Sequence, residues 1–193
     1  MDALTRELAE QLDWHWTHHA RPRLDGLTDE EYLWEPVPGT WSIRRREEVA
    51  PETADCRVGG GRWLLDDHDP GHAEPAPPPV TSIAWRLAHL VVPVLGVRTH
   101  SHFGGPACTE ETWDYAGTAA GALGQLDEAY AAWSAGVHGL DEAALQRPVG
   151  PAEGPWAQAP MLTLVLHINR EVIHHLAEVA LLRDLWAHGL RGS

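Results

Sequence analysis

The sequence predicts an all-α protein: a four-helix bundle with one long Pro/Gly-rich loop between its first and second helices. Three observations carry that expectation. Four long stretches place apolar residues three or four positions apart, the helical period. No stretch makes a convincing strand, and clusters of Pro and Gly separate the helical stretches. The 193 residues are enough for one domain with a sizeable core, so a single domain over 1–193 is expected.

The first helix is expected over residues 2 to about 25. Leu4, Leu8, Leu12, His15 and His19 share one face of it, and Pro22 should kink or end its regular part. "GLTDEEYLW" starts a short helix, with Thr28 as N-cap and Glu31 three residues on, the capping-box spacing. Pro36, Pro38 and Gly39 stop it. Residues 36–79 follow as an irregular loop, rich in Pro, Gly and Asp. Within them "GRWLLDD" fits a short strand or a turn, and Trp41 and Trp63 are expected to anchor the loop to the body. Loops of this length inside a compact domain are usually functional or disordered.

The second helix starts at Thr81 or Ser82, either a good N-cap. It is bent at Pro93 and ends at "GGP", residues 104–106. The third runs from about Thr118 to Val137 with Leu123, Leu126, Tyr130 and Trp133 on one side. A short helical turn near "DEAAL" at 141 and a Pro/Gly-rich link come next. The fourth helix runs from Met161 to about Ala187.

Composition excludes several classes of function. Net charge is −14, so a polyanion such as nucleic acid is repelled by the average surface; "RRR" at Arg44 to Arg46 is the only basic cluster. No run of ~18 apolar residues exists to span a membrane. The first residues are acidic and helical, unlike a signal peptide, so a cytoplasmic location is expected. Cys56 and Cys108 are the only cysteines and are expected as free thiols. There is no Gly-x-Ser-x-Gly elbow, no phosphate-binding Gly loop and no His-Glu-x-x-His.

The fourth helix carries the chemistry. "HINREVIHHLAEVALLRDL", from His167, reads as a core helix into which His167, Glu171, His174, His175 and Glu178 are set. At ~100° per residue these five fall in one polar stripe, closed above and below by Leu164 and Leu182. Buried polar groups cost free energy unless something satisfies them, and a metal ion would. Glu171 and His175, four residues apart, can grip one ion. A third ligand should come from a facing helix. His89 is the candidate, the polar exception among Ile83, Ala84, Leu87, Ala88, Leu90 and Val91. The same residues also fit a hydrogen-bonded core network with no ion. His174 and His175 point ~100° apart, so one of them faces outward or supports the ligands from behind.

Three segments, "GLTDEEYLWEPVPGTWSIR" at 26–44, "TSIAWRLAHL" at 81–90 and "HINREVIHHLAEVALLRDL" at 167–185, resemble the DinB-like superfamily of small metal-binding four-helix bundles. That group includes the N-terminal domain of mycothiol-dependent maleylpyruvate isomerase and the bacillithiol and mycothiol S-transferases. The resemblance implies a divalent ion held by three histidines. Two of those positions match His89 and His175. The third falls on Glu171, a departure; two histidines and a carboxylate still suit Zn²⁺, Ni²⁺, Mn²⁺ or Fe²⁺. His167 and His174 are alternative ligands, and His15 and His19 are candidates to orient ligands or move protons. The resemblance also implies a metal-dependent thiol S-transferase, with mycothiol as the thiol and a small electrophile as its partner. The competing readings are a metal- or small-ligand-binding bundle without turnover, and a structural or interaction bundle without metal. Bundles of this kind often pair through helix faces, so a homodimer is expected.

Overall fold

The computed structural model describes residues 3–50, 53, 56–68 and 76–190. Asp2, where the first helix was expected to begin, and residues 70–75 of the Pro-rich stretch lie outside the described residues.

The first long helix begins as α1 (Ala3–His15). It widens to a π turn over Trp16–Ala20 and tightens to a 3₁₀ turn over Arg21–Leu24. Pro22 falls in the first residues of that last turn, where a missing N–H matters least. The expected kink is therefore a change of helix type. Thr28 caps α2 (Asp29–Tyr32) as predicted, its Oγ1 accepting the Glu31 N–H at 3.2 Å. The buried Glu31 carboxylate, however, accepts from Arg183 Nε at 2.8 Å and Nη2 at 3.2 Å. It joins the start of the chain to the last helix.

The expectation of an irregular loop over 36–79 needs correction, while "GRWLLDD", which fitted a strand or a turn, does hold a strand. Within 36–79 the chain forms β1 (Ile43–Arg45), β2 (Arg57–Val58) and β3 (Trp63–Asp66). They make an antiparallel sheet in the order β1-β3-β2, with Ile43 opposite Leu65 and Arg57 opposite Asp66. Strands of two to four residues are too short for alternation to stand out in a sequence. Much of their specification is electrostatic: buried Asp66 accepts from the Ser42 N–H at 2.9 Å, Arg44 Nε at 2.9 Å and Arg57 Nε at 2.7 Å. Trp41 anchors this layer to the second long helix, donating to the Val80 carbonyl and accepting from the Ser82 N–H, each at 2.9 Å.

That second helix is α3 (Ile83–His89), a π turn (Leu90–Gly96) and α4 (Val97–Phe103) in succession. Ser82 is the N-cap, its Oγ accepting the Trp85 N–H at 3.1 Å. Pro93 sits inside the π turn, where the Val97 N–H reaches back five residues to Val92. The wider turn absorbs the donor that proline lacks. Gly104, at φ +74°, closes the helix. The third long helix is α5 (Ala119–His138), the short turn is α6 (Glu142–Leu145), and the fourth long helix is α7 (Met161–Ala187).

Leu12, Leu87, Leu95, Leu126, Trp133, Ile168, Val172 and Val179 join the four long helices in one buried core. The expected stripe on α5 is present, with Leu126, Tyr130 and Trp133 buried. At Gly136 a Cβ would lie 2.1 Å from the Phe103 ring, so α4 and α5 touch there through the glycine. Among the described residues no helix is long and apolar enough to cross a membrane.

Candidate metal centre

His89 ends α3 at the point where the helix widens, and π turns recur at functional sites. Four residues earlier on the same face, Trp85 stacks on the His89 ring with centroids 5.0 Å apart and planes 9° apart. The indole is itself held: Nε1–H donates to the Asp66 carbonyl at 2.8 Å. The small sheet thus fixes Trp85, and Trp85 fixes the face His89 presents. His89 is half-buried and its ring makes no hydrogen bond to another described residue.

On α7, Glu171 and His175 lie one turn apart, with Nε2 of His175 3.4 Å from Oε2 of Glu171. His89 meets His175 edge-on, centroids 4.8 Å apart and planes at 83°. One ligand atom from each of His89, Glu171 and His175 lies within 4.8 Å of the others. Two donors bound at ~2.1 Å in a tetrahedral shell would be ~3.4 Å apart. The His175–Glu171 pair already stands at that separation.

The other nitrogen of His175 is also engaged. Nδ1 is 2.8 Å from Oε2 of Glu178 and 3.0 Å from Nη1 of Arg86, and Arg86 Nη1 is 2.7 Å from the same Glu178 oxygen. A guanidinium has donors only. If Nδ1 accepted from Arg86, its lone pair would face a carboxylate oxygen at 2.8 Å. The assignment that satisfies all three groups puts a proton on Nδ1, with both Nδ1–H and Arg86 donating to Glu178. Nε2 then presents its lone pair toward Glu171 and His89. A carboxylate that holds a histidine in this tautomer is the usual support of a metal-ligating imidazole.

Both imidazoles are kept neutral, the ligating form. Burial pushes His89 down to about 3, with His175, Arg86 and Arg98 adding to the effect. Burial also lowers His175; Arg86 adds to that, while Glu178 and Glu171 oppose it.

The remaining predicted residues fall in different places. His167 lies one turn before Glu171, its Nδ1 3.5 Å from Oε1, and accepts from Arg170 Nη2 at 2.6 Å. His174 is exposed and stands 3.5 Å from Glu178. His174, His175 and Glu178 form a second donor cluster, but Arg86 already occupies the space beside its buried nitrogen and carboxylate. A cation there would meet the guanidinium charge. His15 and His19 belong to neither cluster. Their rings lie 6.0 Å apart, and Trp14 packs on His19 at 4.7 Å. Trp34 packs on Trp186. Both cysteines are free. Arg86 and Trp85 were missed as supporting groups. Their one sequence signal was position, three and four residues before His89 on the same helix.

Fold and site together define a helical bundle with a His/His/carboxylate donor set that could take a divalent ion. The sequence supplies the family: a model of the DinB superfamily matches residues 62–179, more than half of the chain and a span that contains all three donors. The chain belongs to the DinB superfamily, whose members often bind a metal. Neither curated proteins nor solved structures gave a match.

Proposed function

We propose that the chain is a divalent-metal-dependent thiol S-transferase, its ion held by His89, Glu171 and His175. The observation that carries this is the convergence of those three donors, with His175 turned toward the other two by Glu178. Three protein ligands leave a position open for substrate. A divalent ion there supplies one thing: it lowers the pKa of a thiol, so that thiolate is present at neutral pH. The residues around it do the rest. Trp85 and the π turn hold His89 in place. Glu178 holds the tautomer of His175, and Arg86 balances the Glu178 charge. The transfer itself forms a carbon–sulfur bond at an electrophilic carbon. The leaving group departs with its electron pair and the thiol proton goes to solvent. Mycothiol is the proposed thiol, and Zn²⁺, Ni²⁺, Mn²⁺ and Fe²⁺ all suit the donor set.

One observation favours a second reading, a metal-binding bundle without turnover. Glu171 puts a carboxylate where the resemblance expects a histidine, and its charge weakens the pull of the ion on a thiol. A Co²⁺-substituted sample separates the two. Under the transferase reading a small thiol adds a sulfur-to-cobalt charge-transfer band, and conjugation to a chromogenic electrophile is lost in His175→Ala. A bound Co²⁺ whose spectrum ignores thiol would sink the transferase reading and leave the binding one.

A further inference from the structure

An open pocket of about 530 Å³ lies between α4, the 148–160 segment and the first turns of α7. That volume is within the ~300–1,000 Å³ range of small-molecule sites. It adjoins the donor cluster through one of its lining residues. His167 lines it and stands 3.5 Å from Glu171. Arg98 lines it as well, and its charge is among those acting on His89.

In a chain of net charge −14 this pocket is locally cationic. Arg98 and Arg170 oppose one carboxylate, Glu153. Glu153 is already engaged, 2.9 Å from His102 Nε2 and 3.5 Å from Arg98 Nη2. Arg98 Nη1 donates to the Pro93 carbonyl and its Nε–H is buried without an acceptor among the described residues, while 26% of the side chain stays exposed. The Arg170 side chain is 69% exposed; Glu171 stands 3.7 Å from its Nε, and its Nη2 donates to His167 Nδ1 at 2.6 Å. Apart from Thr163 and His167 the rest of the wall is apolar, and Trp156 and Leu166 are exposed at the rim, at 72% and 52%. Exposed indole and leucine beside guanidinium groups match a ligand with an apolar body and an anionic head.

We propose that this pocket binds a small organic carboxylate, its head between Arg98 and Arg170 and its apolar body against Trp156 and Leu166. The inference rests on the transferase reading only in making this ligand the electrophilic substrate. Binding itself does not require the ion.

The test is calorimetric titration with 1-naphthoate, and with naphthalene-1-carboxamide as its neutral counterpart, on protein as purified and after dialysis against EDTA. Arg170→Gln and Trp156→Ala change exposed side chains, so both variants should fold. The carboxylate should bind both preparations alike, and the amide about tenfold more weakly. Each variant should weaken naphthoate about fivefold or more. Equal affinity for acid and amide, or two variants that bind like the wild type, would overturn the proposal. So would naphthoate binding that disappears with EDTA, which would place the carboxylate on the ion. A protein that takes up no metal even after reconstitution would refute the metal centre, yet leave naphthoate binding to be read on its own.

Discussion

Glu178→Ala should loosen metal binding although Glu178 is not one of the three donors. Its carboxylate holds the proton on His175 Nδ1, at 2.8 Å. Without it, the strong donor left beside Nδ1 is Arg86 Nη1 at 3.0 Å. Nδ1 then becomes an acceptor, the proton moves to Nε2, and the lone pair that faced Glu171 is lost. Loss of such an orienting partner typically costs 10- to 100-fold in metal affinity, or about 1.4–2.8 kcal/mol. Arg86→Met in the Glu178→Ala background removes the competing donor, so the double variant should recover part of the loss. The two singles and the double form a cycle whose coupling should be about 0.5–3 kcal/mol. Zn²⁺ titration against a chromophoric chelator reads all four affinities. A Glu178→Ala affinity within twofold of wild type, or two changes that simply add, would refute the tautomer argument.

Three further outcomes are expected. Glu171→His restores the three-histidine set of the resemblance and should keep one equivalent of metal, whereas Glu171→Ala should lose it; metal analysis of both checks this. Arg183→Met strands the buried Glu31 carboxylate, whose side chain is 5% exposed, and should cost about 3 kcal/mol. By calorimetry that appears as a fall in Tm of ~6–12 °C. Asp13 ties α1 to α5: burial acts to raise its carboxyl, but hydrogen bonds from Tyr130, His138 and Ser134 outweigh it and hold it below 3.8. A depressed carboxylate stabilises the fold above its unfolded-state pKa, and that stability is lost as pH falls through the folded value. Asp13→Asn should therefore be less stable than wild type at pH 6 by about 1 kcal/mol, with the gap closing below pH 3.8 in urea melts.

The long helices were legible because burial imposes a period on them: Thr118 and Ser82 cap helices where the sequence placed them. The spacing of Glu171 and His175 and the place of His89 among apolar neighbours were equally readable, and the structure brings these three side chains together. Of the sheet only β3, within "GRWLLDD", was legible. The strands are short, and Asp66, which organises the sheet, is a charged residue whose partners lie up to 24 residues away. Nor was the change of helix type at Pro93, because a sequence shows that a proline removes a donor but not how the turn widens around it. Arg86 was hidden for a similar reason: its two partners, His175 and Glu178, sit on another helix about 90 residues on.

The most direct measurement is metal content by elemental analysis, on protein purified without a His-tag or chelator, beside His175→Ala and Glu171→Ala. The account predicts near one equivalent of a transition metal in the wild type and loss in both variants. No metal in the wild type after reconstitution with Zn²⁺, Ni²⁺, Mn²⁺ and Fe²⁺, or metal retained by both variants, would contradict it.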